Sequence, residues 1–496
     1  MFDGLKNLID TIFKISKSID KYKKDTVVQS LPTLAYVNRA KKLIDTNNFP
    51  GAEQILLEAL ELPQKDPLVH KYLGLVYEKT MRFEDAVEHY QLSADLDPND
   101  KNIWQRLGFA LVSVGKYEQA DKSFDNANKI QAGSTDTFTG WGMAFVKMKK
   151  YEEAHEKFLT AVKLNKYNQT ALFLCAVCEI KLKMYDLAEN KLAFLSNVNP
   201  NESNTFEYAR LKALKDDIEN AIHYAKKSLS FNSKMLPAYI LLGQLYAQKL
   251  DQENSLKTFE EAELNGLTPS NLYLEWGKVL IKFERDVEAK QKLLKAYEME
   301  PNDNDIIANL GLCCVIRKEF EEAKPLLQKV IEADPENKTV KQALGIIEFE
   351  DKNIEKALQI FRSDDEDAVN CFYIAKCYEQ KDDDTKVKEY YEAAIRQNNK
   401  YITAYIDYVN YLIKKCDYVE AQRKLRKALK YDENNTKLLN LMFYVSYILV
   451  KENVCEYNVK EALSIAQKVE GLGADLFEYP GQKQELLELL PERDAN

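Results

Sequence analysis

Few residues in this chain stand where chemistry would need them. Cys175-x-x-Cys178 is the one CxxC among eight cysteines. A zinc or redox site there would require a second ligand pair or a strand-to-turn setting. The pair sits inside a helical pattern instead, where cysteines serve as small packing residues. Cys313, Cys314, Cys371, Cys377, Cys416 and Cys455 follow no regular spacing, which reads as reduced, cytoplasmic thiols. The histidines His70, His89, His155 and His223 fall in helical stretches, and none pairs with a nucleophile or second ligand at a recognisable spacing. Gly115-Lys116 resembles part of a phosphate loop, but Tyr117 replaces the hydroxyl residue that would hold magnesium. The blocks Asp364-Asp365-Glu366-Asp367 and Asp382-Asp383-Asp384 lack the alternating ligands and central glycine of a calcium loop, and read as solvated turns. No GxGxxG, GxxxxGK[ST], HExxH or GxSxG occurs. The expectation is a chain that is not an enzyme, with no catalytic, cofactor-binding or metal residues and no cofactor.

The bulk charge narrows the partners. Lys and Arg number 69 against 79 Asp and Glu, a net charge of -10 that repels phosphate backbones on average. A nucleic-acid role would need a strong local basic patch, and none stands out. The longest apolar run, Leu438 to Val450, is interrupted by Asn440 and Ser446 and falls short of the roughly 20 residues that span a bilayer. Charges at Asp3, Lys6, Asp10 and Lys14 break the first 24 residues, which do not read as a secretory signal. Phe2, Leu5, Ile9, Ile12 and Ile19 share one helical face there, widened by Leu8 and Ile15 and flanked by lysines. The spacing predicts an amphipathic helix and linker over 1–32 that either caps the array or lies on an anionic membrane surface.

What positions all these residues is a repeat. Phe83-Glu84-Asp85-Ala86 recurs as Tyr117-Glu118-Gln119-Ala120, Tyr151-Glu152-Glu153-Ala154 and Tyr185-Asp186-Leu187-Ala188, each step 34 residues. The small slot extends to Ala52, Ala221, Ser255, Ala289, Ala323, Ala357, Val387, Ala421 and Ala462. Of the twelve steps, nine are 34 and the others are 33, 30 and 41, so the chain holds thirteen repeats. Further positions keep register: His70-x2-Leu73-Gly74-x2-Tyr77 with Tyr90 and Pro98, Trp104-x2-Leu107-Gly108 with Phe124, and Tyr273-x2-Trp276-Gly277 with Leu293 and Pro301. Apolar residues at four-residue spacing give each helix one stripe. Endings such as Asp97-Pro98-Asn99-Asp100 and Asp334-Pro335-Glu336-Asn337 stop one helix and cap the next.

This pattern resembles the tetratricopeptide repeat (TPR) superfamily from about residue 33 to 470. The resemblance implies an all-α fold, an α-α superhelical solenoid of about thirteen helix-turn-helix repeats, with 471–496 as a capping helix and tail. The sixth repeat, Phe206 to Ser230, lacks the Leu-Gly pair, so looser helix packing is expected there. The 30-residue step near 363–367 predicts a second helix cut by about one turn and a bend. The 41-residue step predicts an overlong apolar first helix from Leu438 to Val450, and Leu486, Leu487, Leu489 and Leu490 predict a short closing helix.

In TPR proteins the first helix of each repeat lines the concave face. The chaperone-tail clamp of the family, Lys and Asn at the fifth and ninth slots, is absent: Lys71 is followed by Leu75, Gln105 by Phe109 and Thr139 by Met143. An asparagine ladder at the sixth slot, as in O-GlcNAc-transferase-like arrays, survives only at Asn38 and Asn309. The slots are greasy instead. Phe173, Ile240 and Leu274 hold the fifth; Phe109, Met143, Val177 and Leu312 the ninth; Val112, Val146, Ile180, Ile281 and Val315 the twelfth, with Lys147, Lys181 and Lys282 beside them. Two accounts fit: tighter inward packing, or an open apolar groove for a partner. The family resemblance implies a non-catalytic scaffold or adaptor that binds protein or peptide segments with an apolar face in the concave groove. The alternative is a peripheral membrane assembly factor held at the surface by residues 1–24.

Overall fold

The computed structural model describes residues 31–63, 65–131, 134–452, 456–473 and 480–488. The amphipathic helix expected over residues 1–24 lies outside them. The described residues form 27 α-helices and one short 3-10 turn, with no strand. None of these helices is long and apolar enough to cross a membrane. The chain divides into two compact units, Met1–Leu267 and Thr268–Asn496.

The first unit carries helices α1 (Leu31–Asp45) to α14 (Gln252–Leu264), which alternate as first and second helices of seven hairpins. The second runs from α15 (Ser270–Lys282) to α26 (Glu456–Gly471) as six hairpins, closed by α27 (Pro480–Glu488). Within each unit, a first helix packs on its own second helix, and that second helix packs on the first helix of the next hairpin. Each unit is therefore built by neighbour contacts, as a stacked array requires.

Local chemistry sets the helix boundaries. Asp66, Asp100, Ser134, Asn168, Asp303 and Asn337 each accept a backbone N–H from the first turn of a first helix. Each such cap contributes about 1 kcal/mol. The acidic blocks do the same work: Asp367 caps α21 (Ala368–Gln380), and Asp383 caps α22 (Asp384–Gln397). Inside the hairpins, the turn residue adopts the left-handed conformation, as at Met81, Lys149, Lys183 and Gly115. Gly115 N–H donates to Val112 O and Lys116 N–H to Leu111 O, which ends α5 (Lys101–Ser113) in a glycine stop. Gly115-Lys116 is thus a helix terminus.

The hairpins close on a repeated crossing. The small residue at all thirteen slots, Ala52 through Ala462, is fully buried. At Gly74, Gly108, Gly142, Gly243, Gly277, Gly311 and Gly345, an added Cβ would come within 2.5–2.7 Å of a side-chain carbon on the partner helix, among them Tyr90, Phe124 and Phe158. The ring occupies the space a side chain would need, so the two helix backbones draw together over it.

The sixth hairpin departs from expectation. α11 (Glu202–Leu214) and α12 (Ile218–Phe231) pack as closely as any pair, with no loosening. Ala209 takes the glycine position and Ala225 the aromatic one, both fully buried, so two small residues replace a large-and-small pair. The tenth repeat is shortened as its step predicts: α20 (Ile354–Phe361) has eight residues and runs into the 3-10 turn Arg362–Asp364. The long α25 (Thr436–Glu452) and the closing helix also form. Leu486 of α27 is fully buried, and Lys451 pairs with Glu485 at 2.8 Å. Leu487 is exposed, while Leu489 and Leu490 lie outside the described residues.

Two predictions follow from this packing. Gly142→Ala places a methyl against the Phe158 ring and should destabilise the protein by about 1–3 kcal/mol in urea unfolding. The second concerns His70 of α3 (Pro67–Lys79) and His89 of α4 (Phe83–Leu96), whose Nδ1 atoms meet at 3.0 Å with the rings stacked. Burial holds both imidazoles below their ordinary value near 6.5. A depressed base takes up protons more readily when unfolded, so this pair opposes folding as pH falls below about 6.5. The melting temperature should drop between pH 7.5 and 5.5, and His70→Gln/His89→Gln should flatten that slope.

Candidate functional site

The first unit carries a cavity of about 570 Å³ on the face of its first helices. Four successive repeats line it: Lys71 and Glu78, then Asn102, Gln105, Arg106 and Phe109, then Asp136 and Thr139, then Thr170. Its charges are held in place. Lys71 Nζ reaches Asp100 at 2.6 Å, and Arg106 meets Glu78 at 3.0 Å. The Tyr90 hydroxyl donates to Glu78 at 2.7 Å, and burial beside that carboxylate pushes the phenol well above its usual range. Phe109 forms the apolar wall. Its ring stands edge-on to Phe124 at 5.3 Å and lies over Gly140, where a Cβ would sit 2.3 Å from the ring. Gly140 therefore makes the room that fixes Phe109.

The apolar residues singled out in the sequence divide into three groups. Met143 is exposed at 38%, and Phe109, Val112, Val146, Phe173, Val177 and Ile240 are half-buried in the same unit. Ile281, Leu312 and Val315 are half-buried in the second unit. Ile180 and Leu274 are buried, at 5% and 7% exposure, and offer a partner no surface. Their expected groove role is corrected: Ile180 packs with Leu172, Ala176 and Leu192 in the core. Apolar periodicity marks residues at an inward slot but cannot separate the face of a groove from its floor. It also passes over the polar residues Asn102, Gln105 and Thr139, which vary from repeat to repeat and carry no periodic signal.

A second cluster is buried beneath this face. Glu179 of α9 (Gln169–Lys181) has no exposed surface and is reached by three donors. Lys191 Nζ lies at 2.7 Å, His155 Nε2 at 2.9 Å and the Cys175 thiol at 3.6 Å from Oε1. Burial pushes the thiols of Cys175 and Cys178 up to about 12, so both stay protonated at neutral pH. The donor atoms of His155, Cys175 and Glu179 lie within 4.8 Å of one another. The Lys191 ammonium, however, already supplies the positive charge, and the arrangement is a buried ion pair that ties three successive helices together.

Comparison with known proteins agrees with this architecture. The family model described as "Psidin, N-terminal TPR repeats region" matches residues 14–197, and a tetratricopeptide repeat model matches 315–378. The chain is a tetratricopeptide repeat protein. No curated protein matches it. Among solved structures it is similar to a tetratricopeptide repeat protein from Parabacteroides merdae, at 18% identity and TM-score 0.42 over 48% of this chain and 95% of that one. It is also similar to Cut9–Hcn1 of the APC/C, at 14% identity and TM-score 0.44 over 91% and 95%. A third, pilF of Pseudomonas aeruginosa, has 20% identity and TM-score 0.38 over 44% and 97%.

The buried ion pair of this TPR array has a measurable weight. Glu179→Ala leaves Lys191 without its carboxylate and should cost about 3 kcal/mol of stability. The double variant Glu179→Ala/Lys191→Met should recover part of that loss in chemical unfolding, because no unpaired charge remains.

Proposed function

We propose that this TPR protein is a non-catalytic scaffold or adaptor that holds a segment of a partner protein in the concave face of its first unit. The cavity beside Phe109 carries the proposal. It spans four repeats, its fixed charges and free carboxamides offer hydrogen bonds in both directions, and the exposed Met143 continues it with an apolar surface. An extended segment could place polar groups against Asn102 and Gln105 and an apolar side chain against Met143 and Phe173. Half-buried walls suit this role, since side chains anchored in the core lose little entropy when a ligand arrives. Lys147 and Lys181, both exposed at the rim, favour acidic flanks on the ligand and orient it more than they strengthen it.

Affinity capture with mass spectrometry identifies the partners, and two variants then test the groove. Met143→Glu alone changes an exposed residue and should leave folding intact while weakening capture by about tenfold. Met143→Glu/Phe173→Glu should abolish it, with the helical signal and melting temperature little changed. Unfolding of the double variant while the single one keeps full capture would show these side chains to be core. A folded double variant that retains every partner would place binding on another face.

A further inference from the structure

The second unit carries a surface of opposite character to the chain as a whole. Helix α24 (Tyr418–Ala428) and the turn after it bear Arg423, Lys424, Arg426, Lys427 and Lys430, five cations within eight residues. The absence of a local basic patch expected from bulk charge is thereby corrected: a net charge of -10 conceals a short basic stretch. Together with Glu392 of α22, the preceding second helix, these five residues line an open cavity of about 480 Å³.

The cations are not equivalent. Lys424 is buried at 5% exposure, its ammonium held by Glu392 and, at 3.2 Å, by Glu420. Arg423 pairs with Glu420, and Arg426 reaches Glu461 at 2.8 Å. Lys427 and Lys430 are exposed, and among the described residues neither ammonium makes an ion pair or hydrogen bond. A step of four residues places Arg423 and Lys427 on one side of the helix, and Lys430 follows in the turn and lines the same cavity. The built part of the cavity thus neutralises itself, and two free ammonium groups project from its rim.

We infer that this outer face of the second helices binds a short acidic segment of a partner polypeptide, separately from the concave groove. Charge complementarity selects the occupant. A carboxylate-bearing segment can meet Lys427 and Lys430 while its amides hydrogen-bond to the paired side chains lining the cavity. A continuous polyanion fits less well. Glu392, Glu420 and Glu461 interrupt the cations, so a ligand charged at every step meets like charges as well as the lysines. The two lysines stabilise the complex mostly by steering and orienting the ligand, so binding is weak and salt-sensitive.

The test uses the full chain and a short fluorescein-labelled peptide in which glutamates are separated by serines, followed by fluorescence anisotropy. Saturable binding should weaken as salt rises and fall about tenfold or more in Lys427→Glu/Lys430→Glu. The variant should keep its helical signal and melting temperature, because both lysines are exposed. Met143→Glu should bind the probe as the parent does, which separates this face from the groove. Unchanged affinity in the lysine variant, or equal binding of the same peptide with glutamine in place of glutamate, overturns the inference. So does stronger, Lys427- and Lys430-dependent binding of duplex RNA or of phosphatidylserine-containing vesicles.

Discussion

The structure of each unit depends on one contact: the crossing of two helices where a glycine or alanine on the first faces an aromatic or leucine side chain on the second. At Gly108 the Phe124 ring fills the volume of the missing side chain, and at Gly142 the Phe158 ring does the same. The contact works only if both residues are present at a fixed offset, which is why the repeat keeps its length so closely. The pair varies along the chain. Ala209 and Ala225 hold these positions in the sixth hairpin, with both sides small. Elsewhere one member changes alone: alanine replaces glycine at Ala375 with Tyr391 kept, and leucine follows Gly277, Ala176 and Val409 at the same offset, so neighbouring side chains make up the volume.

That constraint also decides where recognition can occur. The crossing consumes one stripe of each first helix and the facing stripe of its second helix. Contact with the next hairpin consumes another. What remains on the first helices is a narrow strip, and its residues are half-buried because their stems belong to the packing. Phe109 shows the connection. Its ring packs on Phe124 and over Gly140, and the opposite side forms a wall of the cavity. Fold and cavity share side chains, so the apolar wall of the cavity is held in place by the core.

Electrostatics follows the same division between interior and surface. Glu179 is fully buried and must be matched, which Lys191 and His155 do from helices on either side. On the outside, cations pair with acidic residues of neighbouring repeats, as in Arg82–Glu53, Lys290–Glu322 and Arg426–Glu461, each pair worth little in water. Lys427 and Lys430 lack such a pair among the described residues, as do Lys147 and Lys181, in a chain whose excess charge is negative.

The sequence by itself determined the repeat, its thirteen small slots, the capping residues, the shortened tenth repeat and the long last hairpin. Each is written in local spacing, because helix propensity, capping and stripe periodicity act within a few turns of chain. Tertiary structure alone decided which inward residues remain reachable. Val146 and Ile180 occupy the same slot of successive first helices, yet one is half-buried and the other is core. Burial at that slot depends on side chains from neighbouring hairpins, which no single repeat contains. The same holds for the cavity beside Phe109, which is assembled from residues of four repeats and appears only when stacking brings them together. The basic stretch of α24 is local in sequence, and tertiary structure decides only which of its cations are neutralised, as Lys424 is by Glu392.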